Sequence, residues 1–458
     1  MKRAFFLAFV SFGLLLAVTS PASGGGPITK GPWMQHVTPT SAVVRVEVDP
    51  PAPVTLEVGM STAPGTADAG NGSVIESREV RALHTILVAG LQPATRYAFT
   101  VRAHGAPRYG ALTTAPLEQS GAPVRFLVYG DTRTDDAAHA SVVRAMVSAT
   151  SDFLINTGDI VENGASRSQW QTFFDIEAPL TRERPIFACV GNHELTEGAG
   201  LEFVRYFGPA PLPIVPPPSV TTVTGIPVAD AGPAALALDQ LSGTFRWSNV
   251  RFFMINGMVD YKTGPSRVWL EKVLGEADKE AGLVWRIVVV HHGPWSSGPH
   301  GDNARFHSAN LPELLRSHKV DLVISGHEHL YERGAVDGLA YLVSGGGGAP
   351  VYRVKKAEAS SRHYESVHHF IEAATSTAAI QFVATRPDGS TIERCALRKV
   401  GGWDCDGEKS SAPAPTSPAP SSKCGCHVPG AAGSIPEAVS WPGLFALVWL
   451  TARRRSVR

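Results

Sequence analysis

Five apolar runs between residues 124 and 326 each stop at side chains of a type that binds metal ions. The run Val124–Gly130 leads to Asp131, Phe153–Gly158 leads to Asp159, and Ile186–Gly191 leads to Asn192 and His193. Arg286–Val290 leads to His291 and His292, and Val320–Gly326 leads to His327 and His329. A strand with one wet face alternates apolar and polar residues, whereas unbroken apolar runs belong to strands covered on both faces. Helical patterns fall between the runs, over Ala137–Ser148, Ser266–Glu280 and Asn310–His318. Strands alternating with helices predict an α/β domain, with β sheets flanked by helices, over residues 122–400. Ligands of such domains gather beyond the carboxyl ends of the strands, so residues far apart in sequence converge there.

The donor types favour metal over simple turn chemistry. Asp131 and Asp159 offer hard oxygens, Asn192 a neutral amide oxygen, and the histidines imidazoles, a mixture suited to iron, zinc or manganese. Six such groups exceed one tetrahedral shell, which predicts a pair of ions with a carboxylate between them. His327 and His329 stand two apart, and an extended segment would project both to one side, each toward its own ion. Gly130, Gly158, Gly191 and Gly326 directly precede four of the clusters and allow sharp turns. A single Gly-Asp pair is an ordinary turn; the ordered recurrence behind separate apolar runs is what points to metal.

The rest of the chain is organised around this domain. Residues 27–116 read as short strands and turns, the pattern of an antiparallel β sandwich with no catalytic constellation inside it. Lys and Arg total 41, as do Asp and Glu, so no overall basic field exists to draw nucleic acid. At the start, Lys2 and Arg3 precede an apolar run from Phe5 to Val18, and residues 1–24 read as a signal peptide. Export permits disulfides, and Cys395 with Cys405 are the natural pair, while Cys189 reads as a buried strand residue. Residues 406–423 have Pro/Ser/Ala linker composition. Residues 424–458 combine Cys424 and Cys426, an apolar stretch and Arg453–Arg455, which reads as a sorting tag or a membrane anchor and predicts a secreted, periplasmic or cell-surface location.

Several segments have two readings. Pro209–Pro218 and its continuation form a Pro-rich insertion, either a lid or a surface excursion. Gly345–Gly348 follow a strand and read as a loop or as close backbone approach to the site. Residues 365–397 read as a strand pair appended to the sheet edge, with His368 and His369 as structural or rim residues.

The ordered blocks Gly130-Asp131, Gly158-Asp159, Gly191-Asn192-His193-Glu194, His291-His292-Gly293-Pro294 and Gly326-His327-Glu328-His329 resemble those of the calcineurin-like metallophosphoesterases. With the preceding β module, whose Gly90–Tyr97 resembles a corner of fibronectin type III domains, the chain is most similar to the purple acid phosphatases. The terminal tag resembles sorting signals of myxobacterial surface proteins. The phosphatase resemblance implies phosphomonoester hydrolysis by a metal-bound hydroxide, on a small phosphate-ester substrate. It implies Asp159 bridging two divalent or trivalent ions, with Asp131 and His329 on the first and Asn192, His292 and His327 on the second. The family's His-x-Pro pattern selects His292 over His291. His193, Glu194 and His300 are then candidate catalytic residues, with His193, His300 and Arg133 candidates for binding substrate. Phosphodiesterase or nucleotide pyrophosphatase activity on the same site, and surface binding through an inactive domain, are the competing readings.

Two departures stand out. The family tyrosine that binds the first ion is replaced by Glu162, and the alternative Asp-x-His block reads Asp131-Thr132-Arg133. Glu162 and His139 are the candidates to supply the missing ligand. Arg133 suits either a substrate phosphate or an ion pair.

Overall fold

The computed structural model describes residues 28–61, 72–197, 200–208 and 241–407. The signal segment, the Pro-rich insertion, all but the first residues of the linker and the terminal tag lie outside the described residues.

The N-terminal module contains β1 (Ile28–Gln35), β2 (Ser41–Met60), β3 (Ser73–Ala89), β4 (Arg96–Arg102) and β5 (Arg108–Thr113). One five-stranded antiparallel ladder joins them. Strand β2 changes partner along its length, pairing β1 through Val43–Val48 and β4 through Thr55–Met60. The change falls where Pro50, Pro51 and Pro53 remove backbone donors and the register with β3 shifts. One bent strand therefore does the work of two, and the five strands enclose a core of Val44, Leu56, Ile86, Phe99 and Leu112. The Tyr97 hydroxyl accepts the Gln92 N–H at 2.8 Å, closing the corner that the sequence marks.

The α/β domain begins with β6 (Arg125–Tyr129), β7 (Phe153–Asn156) and β8 (Ile186–Ala188), all parallel. A second sheet follows, comprising β9 (Gly243–Trp247), β10 (Val250–Ile255), β11 (Trp285–Val290), β12 (Leu322–Ser325), β13 (Tyr331–Val336), β14 (Leu339–Ser344) and β15 (Ser361–Glu365). The chain then returns to the first sheet as β16 (Phe370–Thr375), β17 (Ala379–Thr385), β18 (Thr391–Arg398) and β19 (Gly402–Cys405). Residues 365–397 are thus more than an appended strand pair. Strand β16 pairs antiparallel with β6, and the sheet continues outward to β19, where Cys395 and Cys405 form a disulfide.

The two sheets pack face to face, which explains the unbroken apolar runs. Phe126, Val128, Phe153 and Ile155 project between the sheets against Phe252, Met254, Ile287 and Val289. Their strand neighbours Leu127, Tyr129 and Leu154 point the other way, onto α1 (Asp136–Val147) and α2 (Arg167–Thr181). Across the molecule Val288, Val290 and Val323 pack on α4 (Pro265–Ala277) and α6 (Leu311–Ser317). Helix α1 starts where Asp135 accepts the Ala137 and Ala138 N–H groups, and α4 starts with Pro265, whose missing N–H costs nothing in a first turn.

The sequence pattern did not mark α2 or the short α3 (Leu201–Phe207), and these two helices carry the N-terminal module. The Trp33 indole and the Arg45 guanidinium both donate to the Tyr206 carbonyl, at 3.2 and 2.9 Å, and Gln171 donates to the Thr29 carbonyl at 2.7 Å. The module's role in the fold is docking onto these helices. No described helix is long and apolar enough to cross a membrane.

Candidate metal centre

Neighbouring parallel strands β6 and β7 of one sheet and β11 and β12 of the other are followed by residues that form one largely buried cluster. Backbone geometry at the strand ends is unusual. Asp131, Asp159 and His327 all adopt left-handed φ values, +55°, +52° and +69°. Such angles cost non-glycine residues free energy and are held only where surrounding contacts enforce them. Those contacts are dense: the Asp131 N–H donates to the Gly158 carbonyl at 2.8 Å, and the His327 N–H donates to the Asp131 carboxylate at 3.0 Å.

The glycines act mainly through absence of bulk. A Cβ on Gly191 would sit 2.1 Å from Asp159 Oδ1, and one on Gly326 would sit 2.4 Å from Asp131 Oδ2. Only Gly158 of the four needs a positive φ, +101°. Gly345–Gly348 serve the same end, running directly beneath Asp131: the Gly347 N–H donates to the Gly130 carbonyl and the Ala349 N–H to the Asp131 carbonyl, both at 2.8 Å. This segment is a close backbone approach, the second of its two readings.

His291, not His292, enters the cluster. Its Nδ1 is 3.0 Å from the Thr157 carbonyl, which places the proton there and aims Nε2 inward. That Nε2 lies 3.2 Å from each of Asn192 Oδ1, Asp159 Oδ1 and His327 Nδ1. Two donors about 2.1 Å from one ion stand about 3.0–3.4 Å apart, so these four atoms have the spacing of a coordination shell. His292 departs from the sequence expectation: its ring packs beside that of His327, 4.3 Å between centroids, but its Nε2 lies 3.5 Å from the Gly301 carbonyl and is not among the four converging atoms. The His-x-Pro pattern selects His292 because Pro294 follows it by two places, whereas the ring that converges belongs to the residue before it.

A second group of donors lies on the other side of Asp159. Asp131 Oδ1 is 3.5 Å from His329 Nε2, while His329 Nδ1 is 2.8 Å from the Pro350 carbonyl, fixing the tautomer that leaves Nε2 free to bind. Residues 327–330 bend rather than extend, so the His327 and His329 rings diverge to opposite sides of Asp159. Among these donors sits the Arg133 guanidinium, with Nε 3.3 Å from Asp159 Oδ2 and Nη2 3.4 Å from His329 Nε2. Its Nη1 pairs with the Glu162 carboxylate, which also accepts from the Thr134 hydroxyl at 2.7 Å. Glu162 therefore engages its carboxylate with Arg133 and Thr134, 3.7 Å from His193 Nδ1, and does not join the donor atoms, contrary to its candidacy as a ligand. His139 is corrected likewise: it is buried 2.9 Å from Glu177 and stacked on Phe173.

Glu194 is fully buried beneath the centre. Its carboxylate accepts four backbone N–H groups, from Gly191 and Ile160 at 2.7 Å, Asp159 at 3.0 Å and Val161 at 3.2 Å. With every lone pair so engaged it is a positioning residue for the Asp159 turn, not a group that reaches substrate. His193 does face the centre: its Nδ1 donates to the Glu162 carbonyl at 2.7 Å and its Nε2 stands 3.8 Å from Asp159 Oδ2. His300 lies at the rim, half exposed, held by Glu328 at 3.2 Å, with its ring 4.5 Å from that of His327. Sequence reasoning missed Tyr352, which stacks on His329 at 4.0 Å; no motif surrounds it.

The charges fit a cation site. Burial opposes a charge on His291, yet Asp159, Asp131 and Glu194 outweigh it and raise its pKa to about 9. Burial also works against ionised Asp159, but His291 and His193 hold its carboxyl well below the usual range. Burial and neighbouring imidazoles depress His327 to about 2, leaving its nitrogens neutral and able to bind metal. His368 and His369 take no part; they bond to the Ala349 and Val367 carbonyls.

A family model, calcineurin-like phosphoesterase, matches residues 124–331. Residues 124–331 are a calcineurin-like phosphoesterase domain. Among curated proteins the chain is similar to probable purple acid phosphatase 20 of Arabidopsis thaliana, 26% identical over 259 residues that cover 55% of each chain. The chain thus spans little more than half the length of the curated relatives it matches. Among solved structures it shares its fold with the purple acid phosphatase PPD1 of yellow lupin seeds, with a TM-score of 0.66 and 15% identity over 82% of this chain and 75% of that one. It also shares its fold with PhoD, at a TM-score of 0.61 and 12% identity over 85% and 94% of the two chains.

Proposed function

We propose that this chain is an exported, metal-dependent phosphoric ester hydrolase acting on small phosphomonoesters. The observation that supports it most directly is the convergence of Asp159, Asn192, His291 and His327 at coordination spacing, in a domain whose relatives include purple acid phosphatases. When bound, metal supplies an acidified water and a clamp for phosphate oxygens.

The chain's own residues account for the other requirements. Asp159, on its constrained turn, sits between the two donor groups and orders both. His193, with Nδ1–H fixed on the Glu162 carbonyl, presents Nε2 to the space above Asp159, where as the imidazolium it can donate to a phosphate oxygen or pass its Nε2 proton to the departing alcohol oxygen. His300 and Tyr352 wall the approach over His327 and His329. Balanced overall charge means that attraction for phosphate is local to this centre. Export rests on the apolar run behind Lys2 and Arg3 and on the Cys395–Cys405 disulfide, which belongs to oxidising compartments.

The test is metal analysis of the purified chain together with hydrolysis of para-nitrophenyl phosphate and of its bis-ester. Faster turnover of the monoester, abolished by Asp159→Ala, is expected. Preference for the bis-ester would make the protein a phosphodiesterase, and a metal-free, inactive protein would leave surface binding as its role.

A further inference from the structure

The two donor groups flanking Asp159 differ in what lies among them. Around His291 Nε2 the neighbours are Asn192 Oδ1, Asp159 Oδ1 and His327 Nδ1, groups that offer lone pairs to a metal ion. Around His329 Nε2 the donors are equally suitable, Asp131 Oδ1 and Asp159 Oδ2, but the Arg133 guanidinium is already between them. A guanidinium has no lone pair and keeps its charge at any accessible pH, so it cannot ligate an ion; it can only take the place of one.

We infer that the Arg133 guanidinium is a built-in cation at the His329 side, and that the centre binds a single metal ion, at Asp159, Asn192, His291 and His327. This rests on the hydrolase reading above and deepens it. Three observations support it. The guanidinium lies against the same atoms an ion would use: Nη2 is 3.4 Å from His329 Nε2, and Nε stands at ion-pair distance, 3.3 Å, from Asp159 Oδ2 without a hydrogen bond of its own. Its remaining edge is anchored: Nη1 pairs with Glu162, whose carboxylate is also fixed by the Thr134 hydroxyl at 2.7 Å. And the side chain is largely enclosed, 12% exposed, so it is held at the centre and not displayed to solvent.

Arg133 and Glu162 thus form a matched pair. They occupy the two positions at which the sequence departs from the ligand blocks that the resemblance implies, and in the structure they bind each other. The carboxylate that replaces one ligand holds the cation that replaces the metal. A second divalent ion at His329 would meet a fixed positive charge at contact distance, with the Asp159 oxygen it needs already shared.

The experiment is metal stoichiometry on the full chain, by plasma mass spectrometry after equilibrium dialysis against Mn2+, paired with the electron paramagnetic resonance spectrum of the bound ion. One Mn2+ per chain with an isolated six-line spectrum is the expected result. Arg133→Ala and Arg133→His should each admit a second ion, giving two per chain and a spectrum broadened by coupling through Asp159. Two ions in the unaltered protein would overturn the inference while leaving the hydrolase reading intact. No ion at all would overturn both. One ion in the unaltered protein and still one in both Arg133 variants, folded as judged by circular dichroism, would overturn the role given to Arg133.

Discussion

Glu194→Gln separates a buried positioning role from a catalytic one. The Glu194 carboxylate accepts N–H groups in two pairs, Ile160 and Val161 on Oε1, and Asp159 and Gly191 on Oε2. A glutamine keeps the shape but has one amide nitrogen, so whichever way it turns, two backbone N–H groups face an N–H2. Each buried donor left without an acceptor costs about 1–3 kcal/mol, giving about 2–6 kcal/mol for the pair. In a domain of this size each kcal/mol lowers Tm by about 2–4 °C, so a fall of about 4–24 °C is expected. Asp159 holds its positive φ partly through this carboxylate, so metal affinity should fall with stability. Burial and the Asp159 charge push Glu194 up to about 7, so the comparison belongs at pH 8, where the anion is present. Thermal unfolding with and without Mn2+, together with metal content, makes the measurement. If Glu194→Gln kept its Tm within about 1 °C and its metal while losing turnover, the residue would act on substrate and the reasoning would be wrong.

Replacing His291 by Ala should strip the centre of metal, whereas His292→Ala should retain it; metal content of the two variants decides, and the reverse pattern would restore the His-x-Pro assignment. His193→Ala should lower kcat by about 10²–10⁴ for alkyl phosphates and less for para-nitrophenyl phosphate, whose leaving oxygen needs no proton. In metal-free protein, the raised His291 pKa contributes stability that is fully present below 6.5 and lost as pH rises through about 9. From a shift of about 2.5 units the loss is on the order of 3 kcal/mol, checked by urea unfolding of chelated protein at pH 6 and pH 9.5. Equal stability at the two pH values would show that the carboxylates do not hold that proton. Metal affinity should run the other way, rising with pH over the same window as the ion replaces the proton.

The sequence by itself determined the α/β core and where its chemistry lies. Strands covered on both faces must be apolar throughout, so the runs ending at Asp131, Asp159, Asn192 and His327 were visible without coordinates. The helices over 137–148, 266–280 and 310–318 were legible for the same reason, within two or three residues at each end. Helix α2 was not, because Pro179 interrupts its pattern and its apolar face is defined by what docks on it. The split of one sheet between residues 125–188 and 370–405 was equally hidden, since strand pairing over that separation leaves no local signal.

Within the site, residue type was readable and direction was not. His291 and His292 are chemically identical neighbours, and only the Thr157 carbonyl, from another strand, decides which ring points inward. Glu162 and His139 were each eligible as ligand or bystander by type, and Arg133 as a substrate contact or an ion-pair partner. Tertiary contacts with Thr134, Asp159 and Glu177 settled them, because a side chain's free energy depends on the partners within about 4 Å, and chain order does not specify those partners.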